Sequence, residues 1–275
     1  MLVTLKELLQ QYMTSDKAVG AFNVTTYCDA KPVITAAEKK NAPVIVQVGG
    51  FATRYMDLEL WGKLLVTMAE RSPVPVCIHL DHSKDVEECQ KAIDAGFSSV
   101  MYDGSQLSYE ENVRLTSEVV RRAAQKGVSV EGEIGSVAYS GTDAYKAEAS
   151  DPDTAARFVA DTGVDAVAVA VGTLHRMETQ AAHLDFDLLR AIQAKVDIPL
   201  VIHGSSGLCD EDFKQMCATH VTKVNIGTAL RMAFDKGLRT ALNDHPESNV
   251  FTEIAHIPMQ YVEDKVIEKL GLLGF

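Results

Sequence analysis

The feature that most restricts what this chain can become is a recurrence: eight short apolar runs of β-forming residues, each followed by a stretch with helical signals. The runs fall at 19–23, 44–48, 76–80, 99–102, 128–133, 166–170, 200–203 and 223–226. Several are apolar on both parities, as in Val44-Ile45-Val46 and Ala166-Val167-Ala168-Val169-Ala170. A strand with one wet face alternates, whereas one that is apolar on both faces must be covered on both, as in a parallel sheet wrapped by helices. Repeated βα units therefore predict an α/β protein, a single (β/α)8 TIM barrel, over a sandwich. The 275 residues suit it, since such a barrel takes roughly 250. With no low-complexity stretch or linker, one catalytic domain over 1–275 is the simplest division.

The helical segments carry their own punctuation. Asp85 precedes a helix through Glu88 to Ala95 that stops at Gly96, and Asp151-Pro152-Asp153 opens another that ends before Gly163. An acid at the N-cap, proline in the first turn and glycine after the last turn are the start and stop chemistry of a helix. The opening MLVTLKELLQQYM has an acid inside its apolar segment and no small-residue cleavage pattern, so it reads as a helix and not a signal peptide. The longest irregular segment, about 135–150, is expected to be a lid or binding loop.

Composition narrows the partners. The formal net charge is -12, which disfavours nucleic acid and anionic membrane because both require a basic face. No apolar stretch is long enough to cross a bilayer. The five cysteines, Cys28, Cys77, Cys89, Cys209 and Cys217, are odd in number and lack CxxC spacing, so reduced thiols in a cytoplasmic enzyme are expected. A small anionic substrate is not excluded, because backbone amides and a few cations can hold one inside an acidic protein.

In a barrel of this kind chemistry lies at the C-terminal strand ends. Those ends are polar here: Asn23; Asp81 and His82; Asp103; Glu131 and Glu133; His175; His203 with Gly204-Ser205-Ser206-Gly207; and Asn225 with Gly227-Thr228. A lone histidine at a strand end is commonly structural. Three on different strands of a closed barrel face one mouth, and three imidazoles plus an open position are the arrangement of a catalytic zinc site. One divalent ion per chain is expected on His82, His175 and His203; cobalt and manganese also suit these ligands. His79, His183, His220, His245 and His256 read as structural or solvent-facing.

Beyond these residues, the segments Leu80-Asp81-His82, DAGFSSVMYDGS, VEGEIG, VAVGTLH, VIHGSSG and KVNIGTAL, in order along nearly the whole chain, resemble the class II ketose-bisphosphate aldolases, and look closest to the fructose/tagatose-bisphosphate branch. The resemblance implies a carbon-carbon lyase that reversibly cleaves a ketose phosphate or bisphosphate to dihydroxyacetone phosphate and an aldehyde through a zinc-stabilised enediolate. It implies that Asp81 exchanges the proton of the hydroxyl at the cleaved bond, and that Asp103 and Glu133 orient ligands or offer an alternative metal position. Gly204, Ser206, Asn225 and Thr228 match positions that grip the donor phosphate, with Asn23, Ser205 and Gly227 around them. No strand-end lysine is placed for a Schiff base, Lys223 being at the far end of its strand.

The chain also departs from that pattern. Glycine is usual after the second ligand, with a lysine beyond, but here His175 is followed by Arg176-Met177-Glu178-Thr179. Ser205 and Gly227 replace other small or acidic residues, and Ser140-Gly141-Thr142-Asp143 stands in weakly for a Gly-Gly pair and loop acid. Arg176 is expected either to clamp an anion or to block the usual phosphate seat. A different or unphosphorylated donor is thus the second reading, and an inactive metal-binding barrel subunit the third, disfavoured by the intact Asp81. A metal-dependent hydrolase would carry His-x-His at the end of the first strand, where Gly20-Ala21-Phe22-Asn23-Val24 has none. A homodimer or homotetramer is expected from base rates.

Overall fold

A computed structural model describes residues 1–138, 140–141 and 147–275 of the chain. Eight parallel strands close into a barrel in sequence order, with the first paired to the last. They are β1 (Val19–Asn23), β2 (Val44–Val48), β3 (Val76–Ser83), β4 (Ser99–Tyr102), β5 (Ser129–Ile134), β6 (Ala166–Val169), β7 (Leu200–Ile202) and β8 (Val221–Ile226). The expected (β/α)8 architecture is present, and β1, β2 and β4 match the sequence reading residue for residue. Two strands are longer than expected: β3 runs three residues further, to Ser83, and β8 starts earlier, at Val221.

Side chains alternate between two faces of each strand. The outward residues join the surrounding helices in one large apolar cluster that includes Trp61, Phe97, Phe158 and Phe213. The inward residues Val19, Ala21, Ile45, Cys77, Ala166, Ala168 and Val201 form a second cluster, and Leu5, Leu8 and Leu9 of the N-terminal helix Leu5–Gln10 pack into it. Burying each leucine contributes about 1.5 to 3 kcal/mol, which makes this helix part of the core and not an appendage. Upward along the same inward parity the residues turn polar, and this change places the mouth.

Local chemistry agrees with the punctuation. The Asp85 side chain accepts from the Glu87 amide at the start of the helix Val86–Asp94, and the Asp151 carboxylate accepts from the Thr154 amide at the start of Pro152–Thr162. Gly163 closes the latter helix in the left-handed conformation at φ 73°. Between the helices Leu58–Arg71 and Val86–Asp94, Gly62 is required by contact: an added Cβ would lie 2.1 Å from the Ala95 carbonyl oxygen. Within 135–150, Ser136 bridges Glu148, and the backbone near Ala138 and Ser140 bonds that of His175. Thr142 and Asp143 lie outside the described residues. Among the described residues no helix is long and apolar enough to cross a membrane.

Candidate active site

Adjacent residues on a regular strand point to opposite faces, yet Asp81 and His82 both reach the mouth. The cause is local: the pairing of β3 with β4 shifts register between Leu80 and Ser83, and His82 adopts φ 53°. A left-handed non-glycine residue costs roughly 1 to 2 kcal/mol. Here that conformation turns an imidazole inward beside a carboxylate that already faces inward. His203 follows β7 directly on the inward parity of Val201, and His175 lies in the connection after β6.

The three imidazoles converge. One ring nitrogen from each of His82, His175 and His203 lies within 4.8 Å of the other two. His203 Nδ1 and His82 Nε2 are 2.8 Å apart. Each of those rings has its other nitrogen on a carboxylate: His82 Nδ1 is 3.0 Å from Asp103 Oδ2, and His203 Nε2 is 2.8 Å from Glu131 Oε1. An ionised carboxylate only accepts, so it draws the proton to the nitrogen facing it and leaves the convergent nitrogen with its lone pair. Burial holds the His203 and His175 pKa values well below the usual range, with the other imidazoles acting in the same direction. Burial also acts to lower that of His82, but Asp81, Asp103 and Glu133 raise it to about 10.

Glu133 is buried, with Oε2 3.6 Å from His82 Nδ1 and 3.8 Å from His203 Nδ1, and that oxygen has no hydrogen-bond partner among the described residues. His82, Asp103 and Glu133 form a second group able to hold a cation. Three converging imidazole nitrogens beside buried carboxylates suit a divalent metal, which would displace the proton shared by His82 Nε2 and His203 Nδ1; the donor set fits one.

Asp81 is buried and accepts from two amides, Asn23 Nδ2 at 2.7 Å and Asn225 Nδ2 at 3.2 Å. Burial alone would raise its pKa, but His82, Lys223, His203 and the Asn23 amide outweigh it and keep the carboxyl below its ordinary value. It is therefore held as a carboxylate.

A cavity of about 530 Å³ opens above these groups. Of the residues expected at the site, Asn23, Asp81, His82, Asp103, His175, Arg176, Gly204, Ser205, Ser206, Asn225, Gly227 and Thr228 line it, while His203 and Glu133 form the floor beneath. Gly204 has φ 65°, and a Cβ there would lie 2.7 Å from the Leu174 carbonyl carbon, so the turn after β7 needs glycine. The Ser206 hydroxyl is buried without a hydrogen-bond partner among the described residues. The Ser205 hydroxyl instead donates to the Asn225 carbonyl, tying the turn to β8. Arg176, where glycine is the usual residue in the resembling family, has φ 60°.

Several residues escaped the sequence reading. Phe51, Arg54, Lys84 and Arg231 also line the cavity. The guanidinium carbons of Arg176, Arg54 and Arg231 lie 4.8, 5.5 and 5.7 Å from the Phe51 ring centre. Arg231 donates to Thr228 Oγ1 at 2.9 Å, and burial together with Arg176 lowers its pKa. Lys223 is fully buried, with Nζ 2.9 Å from Glu131 Oε2 and 2.7 Å from Asn225 Oδ1. His79, also fully buried, places Nε2 3.6 Å from the same carboxylate. Strand parity could have found this layer, because Lys223 shares a face with Asn225, and Glu131 with Glu133.

The closed barrel brings three imidazoles and a carboxylate together at its C-terminal mouth, a donor set that fits a divalent metal. The whole chain agrees: residues 3–274 match the family model described as fructose-bisphosphate aldolase class-II. The chain belongs to the class II fructose-bisphosphate aldolase family, and is an aldolase. It is 34% identical to the sulfofructosephosphate aldolase of Alkalicoccus urumqiensis, over 98% of this chain and 95% of that one. It is 37% identical to the fructose-bisphosphate aldolase of Geobacillus stearothermophilus, over 89% and 87% of the two chains. Among solved structures, the YdjI aldolase from Escherichia coli K12 superposes with a TM-score of 0.88 at 32% identity, covering 100% of this chain and 98% of that one.

Proposed function

We propose that this aldolase reversibly cleaves a ketose phosphate or bisphosphate to dihydroxyacetone phosphate and an aldehyde, with zinc held by His82, His175 and His203. The observation that carries the reading is the convergence of three imidazole nitrogens within 4.8 Å beside an Asp81 carboxylate held between two amides. When bound, the metal supplies Lewis-acid polarisation of the ketose carbonyl and a sink for the electron pair released by carbon-carbon cleavage. Asp81 takes the proton from the hydroxyl on the bond being cleaved, and in the reverse direction returns it. Asn23 and Asn225 keep both Asp81 oxygens oriented, while Asp103, and Glu133 beside it, orient His82. Gly204, Ser206, Asn225 and Thr228 offer backbone and side-chain groups to the donor phosphate, with Gly227 beside them. Arg176 and Arg231 add charge to that grip.

A second reading keeps the chemistry and changes the donor or its terminal anion. Arg176 favours it, since a guanidinium stands where a backbone-only approach is usual, and a relative at 34% identity is named for a sulfonated ketose phosphate. A cytoplasmic compartment and a homodimer or homotetramer complete the proposal. The exposed Tyr27, Tyr55 and Phe251 beside one another on the surface support self-association.

The test is a screen of ketose phosphates, ketose bisphosphates and free ketoses for metal-dependent release of dihydroxyacetone phosphate or dihydroxyacetone, with metal content measured in parallel. His203→Ala is expected to lose most bound zinc on dialysis and all measurable cleavage. A full equivalent of zinc retained by that variant removes His203 from the ligand set.

A further inference from the structure

Lys223 is a fully buried cation that the proposed reaction does not use, and its ammonium group stands between the two halves of the site. On one side it meets Glu131 Oε2 at 2.9 Å, and Glu131 Oε1 lies 2.8 Å from His203 Nε2. On the other it donates to Asn225 Oδ1 at 2.7 Å, and Asn225 Nδ2 donates to Asp81 Oδ1 at 3.2 Å. We propose that Lys223 is a positioning residue that couples the metal ligand His203, through Glu131, to the proton-transfer carboxylate Asp81, through Asn225. The inference rests on the roles given above to His203 and Asp81.

Hydrogen-bond directions carry the coupling. A side-chain amide can present either its oxygen or its NH2 to a neighbour, and rotation by half a turn exchanges them. An ammonium only donates, so Lys223 fixes the Asn225 oxygen toward itself and sends the NH2 to Asp81. Without it, Asn225 is free to turn its oxygen to a carboxylate that needs a donor. The second amide on Asp81 has a partner of its own: Gln47 Nε2 donates to Asn23 Oδ1 at 3.0 Å, and the Asn23 NH2 faces Asp81. On the metal side, Lys223 holds one Glu131 oxygen at 2.9 Å, and the other oxygen, 2.8 Å from His203 Nε2, orients that ring. Lys223 does not line the cavity. Its effect is transmitted through two partners.

The experiment uses the full-length, metal-loaded enzyme and fructose 1,6-bisphosphate or tagatose 1,6-bisphosphate, whichever the wild type cleaves, with zinc affinity measured separately by chelator competition. Lys223→Met alone would strand a buried carboxylate, so it is paired with Glu131→Gln, which removes both charges. The pair is expected to lower zinc affinity about tenfold, the low end for a partner of a ligand histidine. At saturating zinc it is expected to lower kcat at least tenfold. Asn225→Ala should lower kcat and leave zinc affinity unchanged, and adding the pair to it should cost no more than about twofold further, because residues acting through one another are not additive. Multiplying losses, or wild-type zinc affinity and kcat in the pair, overturns the proposal. Asn225→Asp leaves the Lys223–Glu131 pair intact and sets a carboxylate against Asp81. It should lose at least tenfold in kcat with unchanged zinc affinity, and near-normal kcat there overturns the coupling even if the paired variant does not fold. Failure of the wild type to cleave any ketose counts against the proposed function instead, and the zinc measurements still decide the His203 arm.

Discussion

At the floor of the mouth Lys223 meets Glu131 at 2.9 Å and Asp81 lies between two amide donors; at the rim three guanidinium groups gather on one face-exposed ring, Phe51, with carbons 4.8 to 5.7 Å from its centre. Opposite charges in contact fix one another's geometry, and breaking such a pair inside a protein leaves an uncompensated charge. Like charges brought together store repulsion, which stacking on an aromatic face offsets only in part and which an anion relieves. The floor is thus built to hold one arrangement, whereas the rim is built to receive something. On the proposed function, reaction type is set by the first and ligand preference by the second.

The largest expected effect breaks the floor. Asp81→Asn keeps the size but removes the proton acceptor, and it presents an NH2 to one of the two amides that now donate to Asp81. Turnover should fall by roughly 10² to 10⁴, the contribution typical of a positioned acid or base. Zinc content should stay at the wild-type value, because the carboxylate is not needed as a ligand. Steady-state kinetics with metal analysis on the same sample checks both, and near-normal kcat would remove Asp81 from the proton step.

A smaller effect belongs to the rim. Arg176→Ala and Arg231→Ala are each expected to raise KM for the best phosphorylated ketose by about tenfold or more, in line with a charge-assisted hydrogen bond worth about 1.5 to 3 kcal/mol. Both should leave metal content and kcat close to wild type, which separates them from every floor substitution. An unchanged KM for all active substrates returns both arginines to a structural role and leaves Gly204, Ser206, Asn225 and Thr228 as the anion grip.

The two regions were also unequally legible in the sequence. The candidate ligands announce themselves because His82, His175 and His203 each come just after an apolar run; strand-end placement brings His175 and His203 to the mouth, and the register shift turns His82 toward them. Asn225 and Asp81 are readable for the same reason. Lys223 is less legible: parity puts it on the face of Asn225, but only the folded barrel shows its long side chain meeting Glu131 and Asn225. The register shift at Leu80–Ser83 was equally hidden: apolar patterning ends β3 at Leu80, while hydrogen bonding continues to Ser83 through a left-handed His82. The rim is harder still. Phe51, Arg54 and Arg231 come from two helices, Gly50–Tyr55 and Thr228–Asp244, where an arginine or an exposed aromatic is ordinary. Only the closed barrel gives them a common target.

The smallest expected effect sharpens the contrast at a single residue. Arg176 occupies φ 60°, a region that costs an L side chain roughly 1 to 2 kcal/mol and costs glycine nothing comparable. If the guanidinium is what the position is kept for, the backbone strain is the accompanying cost, and two substitutions separate them. Arg176→Gly and Arg176→Ala remove the same charge, so their KM values should rise together. They differ in the backbone: alanine keeps the strain and glycine releases it, less the greater freedom that glycine restores to the unfolded chain. Arg176→Gly should therefore be the more stable of the two by about 1 kcal/mol, or about 2 °C in Tm for a domain of this size. Calorimetry of the metal-loaded variants reads that difference, and kinetics on the same preparations reads the shared loss of affinity. Equal melting temperatures would mean that the turn relaxes once the arginine is gone, so that the guanidinium itself, and not the fold, holds the chain after His175 in its left-handed conformation.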